Sequence, residues 1–120
     1  MKQELQFHWE RCKPFIQEAL DHAGNLCELE EVWTLVRLGE AQFWPGHECA
    51  VVTEIKEYPL KRVLNVWLGG GKLEEIKGME PHIREFAENA GCSLILIQGR
   101  PGWKKIFGMK QLGVILSSEV

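Results

Sequence analysis

The sequence predicts an α+β domain, a mixed β-sheet with flanking helices, and three observations carry that prediction. Two segments before residue 39 repeat apolar residues at helical spacing. Short runs rich in β-branched residues, separated by turn residues, fill the middle of the chain. From residue 62 onward a strand, a glycine triplet, a long amphipathic helix and a second strand follow one another. A chain of 120 residues has room for one hydrophobic core, so residues 1–120 read as a single domain.

Each element has its own signal. Residues 4–22 place Leu5, Trp9, Cys12, Ile16 and Leu20 on one helical face. Pro14 interrupts that pattern and predicts a kink or a new first turn, and Gly24-Asn25 ends it. Residues 28–38 form a second short helix with Leu29, Val32, Trp33 and Val36 on one face, stopped by Gly39. These two helices occupy residues 1–38, and the mixed sheet spans 41–116. Residues 41–44 read as a short strand closed by Pro45-Gly46. Residues 49–55 read as a β-branched strand, and Tyr58-Pro59 lies in the hairpin connection. Residues 62–68 are apolar on both faces except for Asn65, which predicts a central strand. The crossover helix covers 73–90, with a kink expected near 77–81 from Gly78 and Pro81 and a C-cap at Gly91. Residues 93–98 read as a buried strand parallel to 62–68, 102–109 as a short helix, and 114–116 as a last strand.

Composition excludes several function classes. A net charge of −3 gives no overall drive toward nucleic acid or anionic membranes. No apolar run approaches the roughly 20 residues of a membrane span. The opening MKQELQFHWERC is amphipathic and has no signal-peptide core, so the expected compartment is the cytoplasm. The four cysteines, Cys12, Cys27, Cys49 and Cys92, form no C-x-x-C pair, and the four histidines show no metal-binding spacing. Reduced, packed thiols and no metal centre are therefore expected.

The candidate site residues fall in three groups. Gly69, Gly70, Gly71 and Lys72 stand between a strand and a helix N-terminus, a place where backbone amides meet anions. They match neither G-x-x-x-x-G-K-[ST] nor G-x-G-x-x-G, and a purely structural turn is the competing explanation. Residues 99–113 carry Arg100, Lys104, Lys105 and Lys110 and no acid, a basic cap on an acidic protein. A solvated face, a phosphate-bearing ligand and an acidic partner all fit such a cap. Of the five tryptophans, Trp9, Trp33 and Trp67 fall on core positions. Trp44 and Trp103 are the better surface candidates for a partner interface, although packing is the leading reading for each. Glu54, on the strand beside the central one, is the single candidate general base.

The words AQFWPG (residues 41–46), VVTEI with its YP hairpin, VLNVWLGGG and GRPGWKKIFG (residues 99–108) resemble the GNAT N-acetyltransferase family. More narrowly, they resemble the small acetyltransferase-like proteins of tailed bacteriophages. The resemblance covers about two-thirds of the chain and rests on element order and short words. It implies an acyl-coenzyme A site between the two parallel strands, with the pyrophosphate over residues 68–73 and Lys72 or Arg100 on phosphates. Against the family pattern R/Q-x-x-G-x-G/A, the glycines remain but the loop is short and the Arg/Gln is missing. The family's tyrosine position falls on Phe107, which has no proton to give, and its strand base falls near Asn65.

Three functions follow as expectations. The first is a phage-encoded acetyltransferase-fold protein without catalysis, acting as a binding or virion-assembly protein in the host cytoplasm or the virion. The second is an acyl-coenzyme A-dependent N-acyltransferase using acetyl-coenzyme A and Glu54. The third is a host-directed inhibitor. A protein partner is expected in the first and third, without nucleic acid or membrane.

Overall fold

The helical period of the N-terminal segment becomes one unbroken helix, α1 (Lys2–His22), which runs through Pro14. The computed structural model describes residues 2–99 and 102–120, with the side chains of Lys2, Lys105 and Ile106 outside the description. Trp9, Cys12, Ile16, Ala19 and Leu20 form the buried stripe of α1, the i, i+3, i+7 repeat of an amphipathic helix. Gly24 and Asn25 both adopt positive φ, and the Asn25 amide returns to the Leu20 carbonyl at 3.0 Å. That return bond satisfies a carbonyl the helix end would otherwise orphan. Helix α2 (Leu29–Arg37) starts where the Glu28 amide donates to the Glu31 carboxylate at 3.0 Å. It buries Val32 and Val36. Trp33 stacks on Trp9 with centroids 5.0 Å apart, while Phe43 meets Trp9 edge-on at 5.3 Å.

Four strands follow: β1 (Gln42–Pro45), β2 (Cys49–Glu57), β3 (Arg62–Gly71) and β4 (Leu94–Ile97). They form one sheet in the order β1-β2-β3-β4. The first three are antiparallel neighbours, and β3 and β4 are parallel. The crossover is α3 (Leu73–Asn89), a single helix that includes Gly78 and Pro81, and α4 (Gly102–Phe107) follows β4.

Two apolar clusters lie on opposite faces of the sheet. Ala50, Val52 and Leu68 pack with α1 and α2. Cys49, Val51, Leu64 and Val66 pack with Ile76, Ile83 and Ala87 of α3 and Trp103 of α4. The result is an α+β fold with a mixed sheet and helices on both faces, covering β3 and the first half of β2, where both faces are buried. No described helix is long and apolar enough to cross a membrane.

Two expected elements are corrected. The glycine triplet is not a loop: β3 continues through Gly69, Gly70 and Gly71, each paired with β2. The expected last strand, residues 114–116, is irregular and exposed, without a ladder partner among the described residues. A β-branched run forms a strand only where an edge is in register to receive it.

Candidate functional site

β3 and β4 part company halfway along β3. Their parallel register runs from Val63↔Leu94 to Val66↔Ile97 and stops there. β3 goes on for five more residues held by β2 alone. At the point of parting, Val52 faces Leu68 while the next residue, Thr53, faces Val66. Trp67 is thus the extra residue of a β-bulge, which bends a strand and re-aims its side chains. Trp67 and Leu68 both lie on the α1 side. Thr53 anchors the bulge from the neighbouring strand. It is fully buried, its hydroxyl accepts from the Trp44 indole N–H at 3.0 Å, and it donates to Gln42 Oε1 at 2.8 Å.

The separation leaves a crevice of about 250 Å³, lined by Ala19 and His22 of α1, Trp67 and Gly69 of β3, and Gln98 and Trp103 beyond β4. His22 and Gln98 are its polar groups, and neither stands out in the sequence. His22 is simply the last residue of α1, and only the packing of α1 across the sheet brings it to this wall. A helix period cannot reveal that neighbour.

Trp103 occupies the other side of the parting. It is only 8% exposed, the packing reading of the two open to it from sequence. A Cβ built on Gly69 would lie 2.6 Å from Cη2 of Trp103, and one on Gly99 would lie 2.8 Å from its Cε3. The indole therefore sits against two glycines, Gly69 within the second half of β3 and Gly99 two residues beyond β4, and only glycine leaves room for it. Phe107 closes over it edge-on with centroids 5.8 Å apart. Trp44 is also committed to packing: it is half-buried, its N–H is bonded to Thr53, and its ring meets Phe86 at 5.7 Å.

The other two glycines are packing residues as well. A Cβ on Gly70 would lie 2.0 Å from the Phe15 carbonyl oxygen of α1. Gly71 has φ +97°, a left-handed conformation, and its Cβ would lie 2.3 Å from the Glu48 carbonyl oxygen. The Lys72 amide donates to that same Glu48 oxygen at 2.9 Å.

The electrostatics around the start of α3 are unfavourable to an anion. Lys72 forms an ion pair with Glu48. A hydrogen bond and charge attraction within that pair lower the Glu48 carboxyl pKa and raise that of the Lys72 ammonium. Glu74 and Glu75 occupy the first turn of α3. The Glu75 carboxylate accepts the amides of His47 and Glu48 at 3.0 and 3.1 Å. Carboxylates complement the helix dipole and occupy the place an anionic ligand would take.

Glu54 is half-buried on β2 opposite Asn65. It accepts from Asn65 Nδ2 at 3.2 Å and pairs with Lys56 Nζ at 3.4 Å. Asn65 is buried, and its Oδ1 has no hydrogen-bond partner among the described residues. An unsatisfied buried acceptor in a native fold calls for a donor, and sequence alone does not identify it. Lys104 and Lys110 are exposed; Arg100 and the side chain of Lys105 lie outside the described residues.

Three of the four thiols are poorly placed to act as nucleophiles. All four cysteines are free. Burial raises the pKa of Cys12 and Cys92, and burial with the Glu75 carboxylate pushes Cys49 up to about 11. Each of these three is held as a neutral thiol at neutral pH, whereas the thiolate is the reactive form.

No protein-family model and no curated protein sequence matches the chain. Two solved structures share its fold, the wild type and a point mutant of TTHA1254 from Thermus thermophilus. Both are 14% identical to this chain, with TM-scores of 0.56 and 0.58 respectively. The alignments cover 78% of this chain and 79% and 80% of those chains. At that identity the likeness is one of fold, and the α+β architecture is what the chain and these structures have in common.

Proposed function

We propose that the chain is an acetyltransferase-like (GNAT-like) scaffold without acetyl transfer, acting as a binding or assembly protein of the kind tailed bacteriophages carry. The observation that supports this reading is Trp103, wedged against Gly69 and Gly99 where β3 and β4 separate. An acyl-coenzyme A arm would need that parting open. What remains is about 250 Å³, short of the roughly 300–1,000 Å³ of small-molecule sites. Phe107 and Asn65 stand where the resemblance asks for a proton donor and a base, and neither titrates. The phage origin rests on the resemblance of short sequence words alone. The test is an acetyl-transfer assay of the purified protein with acetyl-coenzyme A and a panel of amines. Release of coenzyme A thiol at the uncatalysed rate is expected, and robust turnover would overturn the proposal.

A second reading, an acyl-coenzyme A N-acyltransferase, is favoured by the bulge at Trp67 and the crevice beside it. In that case Gly69, Gly70 and Gly71 would meet the pyrophosphate, and Lys72 or Arg100 would meet phosphates. Glu54 would take the amine proton through water. Replacing Glu54 with Gln would then abolish turnover while sparing coenzyme A binding; unchanged turnover would remove Glu54 from that role.

A further inference from the structure

The sheet has two edges, and they are protected differently. β1 is four residues long and ends in Pro45, a residue that blunts an edge because it has no N–H to offer. β4, at the other edge, is Leu94-Ile95-Leu96-Ile97, with no charge and no proline, and all four residues are half-buried. Among the described residues no strand pairs with its outer side. A bare apolar edge of this kind recruits a strand from elsewhere.

The same chain carries a segment of strand-like composition with no ladder partner among the described residues. Residues 109–120 have neither helix nor ladder. Val114, Ile115 and Leu116 are 70%, 73% and 86% exposed. Their apolar character is continuous rather than alternating. That pattern suits a strand covered on both faces, and helices lie on both faces of this sheet. Residues 113–117, five in number, are long enough to cover the four residues of β4. Residues 108–112 form a tether after α4 that reaches about 17 Å when extended. Pairing within one chain would be the entropically cheaper closure, yet the fold leaves both the edge and the segment bare.

We propose that a second copy of this chain covers β4: residues 113–117 of each protomer lie along the outer edge of its partner's β4. The exchange is reciprocal, so one two-fold dimer satisfies both edges and closes the assembly. Recognition is by main-chain hydrogen bonds, with apolar side chains setting the register.

Sedimentation equilibrium of the full chain, with amide hydrogen exchange, tests this directly. The expected result is twice the monomer mass of 13.8 kDa, with exchange at residues 113–117 slowed about 100-fold relative to open chain. Ile115→Pro and, separately, Leu116→Lys should return the mass to that of a monomer with an unchanged circular dichroism spectrum. Both changes lie in an exposed segment that contributes nothing to the protomer core. A monomer with fast-exchanging 113–117 amides would overturn the proposal. So would a monomer with protected amides, which would mean closure within one chain. A dimer that survives both substitutions would overturn it by placing the interface elsewhere.

Discussion

The two halves of β3 solve the same problem in different ways. Residues 63–66 have a strand on each side and large apolar side chains, Val63, Leu64 and Val66, buried to 6% exposure or less. Residues 67–71 have a strand on one side only. There the chain bulges, and three glycines admit atoms from other elements: the Trp103 ring, the α1 backbone and the Glu48 carbonyl. A central strand packs with its own side chains where the sheet is continuous. Where the sheet parts, it packs by making room. A parting of this kind is where parallel sheets commonly hold ligands, and here an indole takes the space.

The sharpest way to break this contrast is Trp103→Ala. Emptying a buried tryptophan site costs about 3–5 kcal/mol, and thermal melting should show a correspondingly large drop in Tm. A loss under about 1 kcal/mol would mean that Trp103 does not hold the separated strands. Gly70→Ala comes next. Its Cβ would meet a backbone oxygen of α1, which cannot swing aside, and a loss of about 3 kcal/mol is expected in denaturant unfolding. Ala at Gly78, which has nothing within 4 Å, should be neutral or stabilising by up to about 1 kcal/mol. That pair separates close approach from glycine's general flexibility. Thr53→Val removes the hydroxyl that anchors the bulge and leaves the Trp44 N–H without its partner, for a loss of about 1–3 kcal/mol.

The smallest effect concerns pH. Cys49, opposite Gly71 at the far end of β3, has its pKa raised from 9.0 to about 11. The folded state therefore favours the neutral thiol. Its contribution is fully present below pH 9 and is lost as pH rises from 9 through about 11. Cys49→Ser should reduce the alkaline part of the stability profile over that window and leave the slope below it unchanged. Unfolding midpoints measured across pH would show this.

Much of the architecture is legible from local pattern. α1, α2 and α3 announce themselves by helical period, and β2 and the first half of β3 by β-branched runs. What is not legible depends on partners far away in sequence. Gly69–Gly71 look like a turn because glycine composition is a local signal. Their pairing with residues 49–51 is set by the hairpin register, and their lack of side chains by Phe15, Glu48 and Trp103. Trp103 reads ambiguously because lysines follow it, and its burial depends on two glycines far apart in sequence, one within β3 and one beyond β4. Residues 114–116 read as a strand on propensity alone, and propensity supplies no edge to pair with. Glu54 does lie beside the central strand as its sequence position suggests, but its contacts with Asn65 and Lys56 depend on a register no local signal reveals.

The central claim, that Trp103 closes the parting to an acyl-coenzyme A arm, is tested most directly by calorimetric titration of the wild-type protein with acetyl-coenzyme A. No detectable binding up to about millimolar ligand is the predicted result, corresponding to less than about 4 kcal/mol of binding free energy. Micromolar binding that is weakened by substitution at Gly69 would contradict the account and place the ligand where the indole now sits.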